Sequence, residues 1–170
     1  MTDEDERGVH KLLWKHIGAQ EFEQAEAVVR RLIETTPADD AGALWNLYGI
    51  LASTLNSLKR PDEATEMFDR ALREARKAGP SNTIDVARYM LANQHLIYGD
   101  PSAALREGSP VPQGEGHIQC LLHAVVAEAL WKLDRKSEAH RAAEEAIDSS
   151  PTSERRDELS DQLGYILVAG

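Results

Sequence analysis

Four alanines set the register of this chain. Ala25, Ala64, Ala104 and Ala139 close the openings Phe22-Glu23-Gln24-Ala25, Pro61-Asp62-Glu63-Ala64, Pro101-Ser102-Ala103-Ala104 and Lys136-Ser137-Glu138-Ala139, and they stand 39, 40 and 35 residues apart. Recurrence at that period restricts the fold. A unit of this length holds one pair of helices, which cannot bury its apolar face alone and must stack on a neighbour of its own kind.

The positions around each anchor repeat as well. Thirteen residues before it stand Leu12, Leu51, Leu91 and Val126, and twelve before it Leu13, Ala52, Ala92 and Ala127. Nine before it stand His16, Leu55, His95 and Leu130. These offsets trace one buried face of a helix. Four residues after the anchor come Val29, Phe68, Gly108 and Ala143, and seven after it Leu32, Ala71, Val111 and Ala146, again one helix face. Small residues there let two helix backbones approach closely. Pro37 and Pro151 stop the second helix in the first and fourth units. In the second unit Arg76 and Lys77 precede Gly79-Pro80, which reads as a helix C-terminus.

This pattern resembles the tetratricopeptide repeat family. It is carried by the leucine and small residue of each first helix, the small residue opening the second, the alanine one face-repeat later and the closing proline. The resemblance runs from about Arg7 to Pro151 and is best in units two and four, where Tyr48, Leu51, Ala52, Leu55, Ala64, Phe68 and Ala71 fit well. Unit one departs at Leu13 and Leu32, where small residues are usual. Unit three departs most: its second helix is cut short at Glu107-Gly108, and Ser109-Pro110-Val111-Pro112-Gln113-Gly114-Glu115-Gly116 reads as a loop, so Val111 matches in number only. A generic helical bundle with chance recurrences of a common residue is the competing explanation; four units in near-constant phase weigh against it.

The resemblance implies an all-α fold: a right-handed α-solenoid of about four helix-turn-helix repeats (residues about 5–37, 40–80, 82–116 and 117–151) with a capping helix over about 153–168, in a single domain of residues 1–170. Nine helices are expected, at about Asp5–Ile17, Phe22–Thr35, Asp40–Leu58, Pro61–Ala78, Asn82–Tyr98, Pro101–Arg106, His117–Leu133, Lys136–Ser149 and Ser153–Val168. Asn82 with Asp85 resembles an N-cap pair, and Asp100-Pro101 joins a capping side chain to a first-turn proline. On the last helix Leu159, Leu163, Ile166 and Leu167 share a face suited to covering the end of the stack. The alternative use of Tyr165-Ile166-Leu167-Val168 is self-association, which would give a weak homodimer through an end face.

Composition agrees with an all-helical class: aromatic residues make up only 5% of the chain and β-branched runs are missing. The net charge of −10 is dispersed, with ten acids and five bases in the first forty residues and mild acidity elsewhere. A dispersed negative surface disfavours nucleic acid and anionic membrane as primary partners. Cys120 is the single cysteine, so no intrachain disulfide is expected and a reducing, cytoplasmic location fits. The acidic Met1-Thr2-Asp3-Glu4-Asp5-Glu6 lacks the apolar core of a signal peptide, and no run approaches the roughly twenty apolar residues of a membrane helix.

In the resembled family the first helices line a concave groove that holds extended peptides. Carried onto this sequence, that face selects His10, Trp14 and Ile17 in unit one; Asn46, Gly49, Ser53 and Asn56 in unit two; Tyr89, Asn93 and Leu96 in unit three; and Ala124, Glu128, Trp131 and Lys132 in unit four. Amide side chains both donate to and accept from a ligand backbone, and tryptophans anchor apolar side chains. The competing reading is that Trp14 and Trp131 fill packing gaps and the asparagines are solvated. One subset of the family clamps acidic chaperone tails with lysine, arginine and asparagine. The corresponding places here hold His10, Trp14, Ile50, Val86 and Met90, so that clamp is not expected.

His117, Cys120 and His123, spaced by three, invite a soft metal, but three groups along one turn and a half of helix rarely converge on one ion and no fourth ligand is apparent. His123 also falls on the core side of unit four. No metal or cofactor is expected. No phosphate loop, nucleophile elbow, zinc-protease helix or dinucleotide fingerprint occurs, and carboxylate pairs such as Glu144-Glu145 sit in highly charged helices, so an enzyme is not expected. The leading expectation is a protein-binding adaptor. The alternatives are a small-molecule sensor with the Gly108–Gly116 loop as a lid over the third quarter of the groove, and a self-assembling structural protein.

Overall fold

The computed structural model describes residues 3–113 and 116–168, and the side chains of these from Gly8 onward. Every regular element among them is an α-helix: α1 (Asp3–Gly18), α2 (Phe22–Thr35), α3 (Ala41–Ser57), α4 (Pro61–Ala78), α5 (Ser81–Ile97), α6 (Pro101–Gly108), α7 (His117–Lys132), α8 (Lys136–Asp148) and α9 (Ser153–Leu167). The expected all-α class and the helix order hold. The chain forms two compact units, Met1–Pro80 with α1 to α4 and Ser81–Gly170 with α5 to α9.

One backbone device recurs at every turn inside a helix pair. Five residues before each anchoring alanine the backbone turns left-handed: Gln20 at φ 59°, Lys59 at φ 60°, Gly99 at φ 90° and Asp134 at φ 61°. The next residue then donates its N–H back to the carbonyl five residues earlier, Glu21 to His16 (2.9 Å), Arg60 to Leu55 (2.9 Å), Asp100 to His95 (2.8 Å) and Arg135 to Leu130 (2.9 Å). This is the Schellman ending of a helix, which satisfies carbonyls that would otherwise lack partners. It fixes the angle at which each second helix departs. The anchors Ala25, Ala64, Ala104 and Ala139 are completely buried, as are Leu13, Ala52, Ala92 and Ala127 of the partner helices. In the second, third and fourth pairs small residues on both sides allow the two backbones to close, while the first pair carries Leu13 at the equivalent place.

In the first unit α1 packs on α2, α2 on α3 and α3 on α4. Asp40 caps α3 by accepting the Ala43 N–H at 2.9 Å, and Pro61 occupies the first turn of α4. Gly79, at φ 101°, ends α4 as the Gly-Pro signal indicates. Leu12 corrects the register. It stands where Leu51 and Leu91 are buried, yet it is 42% exposed, while Leu13 is fully buried. The helix that α1 chiefly packs against is α2.

In the second unit neighbouring helices pack in chain order, and α7 also packs on both α5 and α9. The three helices α5, α7 and α9 therefore form one side of the unit with α7 in the middle. Asp100 caps α6 through the Ala103 N–H at 2.8 Å, and Thr152 caps α9 through the Arg155 N–H at 3.2 Å. Leu159, Leu163 and Ile166 of α9 are fully buried in one cluster with Cys120, Val126 and Ala143. Each such side chain withdrawn from water contributes about 1.5–3 kcal/mol. That is how a terminal helix covers an apolar face, and Tyr165 and Val168 stay exposed beside it.

One further point differs from expectation. Helix α5 begins at Ser81 rather than at an Asn82 cap: Asn82 accepts the Thr83 N–H at 2.9 Å, and Asp85 pairs instead with Arg88 at 3.2 Å. Helix α6 is short, as expected, ending at Gly108, and the chain that follows is tied down. Arg88 on α5 donates from Nε to the Glu107 carbonyl (3.1 Å) and from Nη2 to the Pro110 carbonyl (2.7 Å). Its fork takes over carbonyls that further turns of α6 would have satisfied.

Candidate functional site

On the α5–α7–α9 side of the second unit lies an open cleft of about 280 Å³. Helix α5 supplies Tyr89, Asn93, Leu96 and Ile97, α7 supplies Leu121, Ala124, Val125, Glu128 and Lys132, and α9 supplies Gln162. The spacing explains the convergence. Tyr89, Asn93 and Leu96 recur at four and three residues, and Leu121, Ala124, Glu128 and Lys132 at three, four and four, so each set forms one stripe down its helix. The two stripes face the same cleft because α5 and α7 pack directly on each other.

The floor is apolar. Ala92, Leu96, Ala104, Val125 and Ala129 form a buried cluster with Tyr89 and Leu105 packed against it. The polar groups are held in place. Glu128 Oε1 accepts from Gln162 Nε2 at 2.6 Å, joining α7 to α9. Lys132 donates from Nζ to the Leu96 carbonyl at 3.1 Å, so its ammonium supports the last turn of α5. Burial pushes the Tyr89 phenol above its ordinary pKa, with the Arg155 charge opposing the effect and the Glu128 charge adding to it. The Tyr165 phenol is also raised, by burial and then by Glu128. Both rings thus lie within the field of the Glu128 carboxylate.

Of the groove candidates, Tyr89, Asn93, Leu96, Ala124, Glu128 and Lys132 come together in this cleft. Trp131 lies elsewhere: its ring meets Tyr165 edge-on at 5.6 Å, and the Lys136 ammonium sits 3.5 Å from its centroid. That contact joins the ends of α7 and α9, the packing role that competed with a binding role. In the first unit His10 and Trp14 are exposed on α1, with Trp14 at 57%, and Ile17 is half-buried. Asn46 and Ser53 are exposed on α3, Asn56 is half-buried and Gly49 is buried; the Ser53 hydroxyl donates to the Gly49 carbonyl at 3.1 Å. The repeat register did not select Ile97, Leu121, Val125 or Gln162. Gln162 lies beyond the fourth repeat, where the register carries no information.

Each unit also has a cleft on its second-helix side. One is lined by Tyr48, Leu51, Leu55, Glu63, Glu66 and Arg70 with Arg30 and Ile33, the other by His123, Val126, Leu130, Glu138, Arg141 and Glu145 with Leu105 and Ser109. The first six of each occupy equivalent register positions. Where Arg70 lies 6.0 Å over the Tyr48 ring, Glu145 lies 3.2 Å from His123 Nδ1. Ser109 and Val111 line the second of these clefts, so the start of the α6–α7 loop borders the α7–α8 side rather than the cleft of Tyr89 and Asn93. Gly114 and Glu115 of that loop lie outside the described residues.

His117 is exposed, Cys120 is buried with its thiol donating to the His117 carbonyl at 3.1 Å, and His123 is engaged with Glu145. Burial pushes the Cys120 thiol above its ordinary pKa, which favours the inert protonated form. Among the described residues no three His, Cys, Asp or Glu side chains are grouped to hold a metal ion, and no helix is long and apolar enough to cross a membrane. No family model and no curated protein matches the chain.

Proposed function

We propose that this chain is a non-catalytic, cytoplasmic protein-interaction module, a right-handed α-solenoid of tetratricopeptide type that holds an extended segment of a partner protein. The observation that carries the reading is the α5–α7–α9 cleft, where six residues selected from the repeat register line one concavity over an apolar floor. The repeat reading is supported by the Schellman turn at the same register position in all four helix pairs. A cleft of this kind has the parts a peptide requires: aliphatic surface for side chains, and the Asn93 amide to exchange hydrogen bonds with a backbone.

The test is affinity capture from the native cell with wild-type chain and with a Tyr89→Ala/Asn93→Ala variant. A protein retained by the wild type and lost by the variant supports the reading. Equal retention of every captured protein removes the cleft from the binding surface.

A further inference from the structure

Glu128 stands apart from the other sheltered carboxylates of this protein. Glu26 is paired with Arg30 and Arg60, Glu74 with Lys77, Asp85 with Arg88 and Glu107 with Arg106. Glu128 is half-buried too, yet its side chain accepts from the neutral Gln162, and no cation lies within ion-pair distance of it among the described residues. Lys132, one turn further along α7 and lining the same cleft, bonds to the Leu96 carbonyl instead. Without a counter-charge beside it, the Glu128 carboxylate is left to form a charge-assisted hydrogen bond with a ligand cation.

We propose that Glu128 is the recognition point for a basic side chain, lysine or arginine, of the segment bound in the α5–α7–α9 cleft; this rests on the reading of that cleft as a peptide site. Gln162 holds one carboxylate oxygen at 2.6 Å, which fixes the group and leaves the second oxygen to accept from an ammonium or guanidinium. Tyr89 lines the same cleft, and an aromatic ring in a site that holds a carboxylate favours an organic cation. The aliphatic stem of a lysine or arginine matches the apolar surface of Leu121, Ala124 and Val125. The chain's net charge of −10 steers a basic partner toward it and an acidic one away.

The experiment uses the full chain, labelled for nuclear magnetic resonance, with four pools of acetylated, amidated heptapeptides. The centre is fixed as arginine, lysine, norleucine or glutamate, and the flanking positions are randomised over small and aliphatic residues. The expected result is that the arginine and lysine pools shift the side-chain amides of Asn93 and Gln162, weaken with added salt, and bind about tenfold more weakly to Glu128→Gln. That variant keeps an acceptor for Gln162, and Glu128→Ala provides a second test of the carboxylate. Glu158→Gln, on the exposed face of α9, leaves binding unchanged and excludes a general charge effect. If the norleucine pool shifts the same amides as strongly and Glu128→Gln binds all pools as the wild type does, the cleft holds peptides and the assignment of Glu128 is wrong. If no pool moves either amide, both the assignment and the peptide-site reading fall.

Discussion

A β-carbon placed on Gly108 would lie 2.9 Å from Cγ2 of Val126. The other three repeats carry Val29, Phe68 and Ala143 at this register position, so the glycine is dictated by its neighbour rather than by the helix. Here α6 gives up its side chain to let α7 approach, and Val126, branched at Cβ, has little freedom to turn aside. Gly108→Ala is therefore expected to destabilise the fold by about 1–2 kcal/mol, although alanine is the better helix former. Combining it with Val126→Ala should cost less than the two losses added together. Chemical denaturation of the four proteins of this cycle measures the coupling, and strict additivity would show that the two residues do not compete for space.

Left-handed turns at equivalent places are filled by different residues, which sets up opposite substitutions. Lys59 at φ 60° carries a Cβ in a region that costs an ordinary residue about 1 kcal/mol, whereas Gly99 at φ 90° carries none. Lys59→Gly is expected to stabilise by a few tenths of a kcal/mol after the larger entropy of the unfolded chain is subtracted. Gly99→Val is expected to destabilise by more than about 1 kcal/mol, although nothing surrounds the position closely, because the strain lies in the backbone. Thermal melts of both variants check the pair of signs.

These turns also mark where the sequence was legible and where it was not. Periodicity exposed the helices because burial leaves a strong 3.6-residue signature, and the ends of α2 and α4 were legible from Pro37 and from Gly79-Pro80. The turns left no such mark at Gln20, Lys59 and Asp134, since polar residues in that conformation look like any polar residue. The misread Leu12 has a related cause: register predicts which positions face a neighbour, but not whether a neighbour is there. In the cleft, Tyr89, Asn93, Glu128 and Lys132 were recoverable because they lie on repeating helices. Gln162 was not, because α9 lies outside the repeat, and register alone does not tell that the Trp131 ring packs edge-on against Tyr165, away from this cleft.

Arg88 binds three groups at once, and its loss should be felt in the loop before it is felt in the core. Arg88→Ala removes the donors to the Glu107 and Pro110 carbonyls and leaves Asp85 without its partner. A loss of about 2 kcal/mol is expected. It should be accompanied by faster proteolysis or hydrogen exchange in residues 109–113, with α7 and α8 little changed. Arg88→Lys should not rescue it, since one ammonium cannot span the fork. Full rescue by lysine would mean that charge alone, not geometry, holds the segment.

His123 gives the fold a dependence on acidity with a definite sign. It is half-buried on α7, with Glu145 of α8 3.2 Å from Nδ1 and Arg135, Glu138 and Arg141 of α8 lining the same cleft. Burial lowers its pKa from the ordinary 6.5, and Glu145 only partly restores it. The folded state therefore resists the proton that the unfolded chain accepts. Stability is unaffected by this group well above 6.5, falls as the pH drops through 6.5, and levels off below the folded pKa. The carboxylates of Glu63 and Glu138, held below their ordinary 4.5 by side-chain hydrogen bonds from Arg60 and Arg135, act only at lower pH, which leaves the window from about 5 to 6.5 to histidine. The melting temperature is accordingly expected to drop between about pH 7 and pH 5, and the drop should shrink in His123→Gln. A resonance titration of His123 should show a midpoint below 6.5. A midpoint above it would mean that the Glu145 charge outweighs burial, and the stability change would then reverse sign.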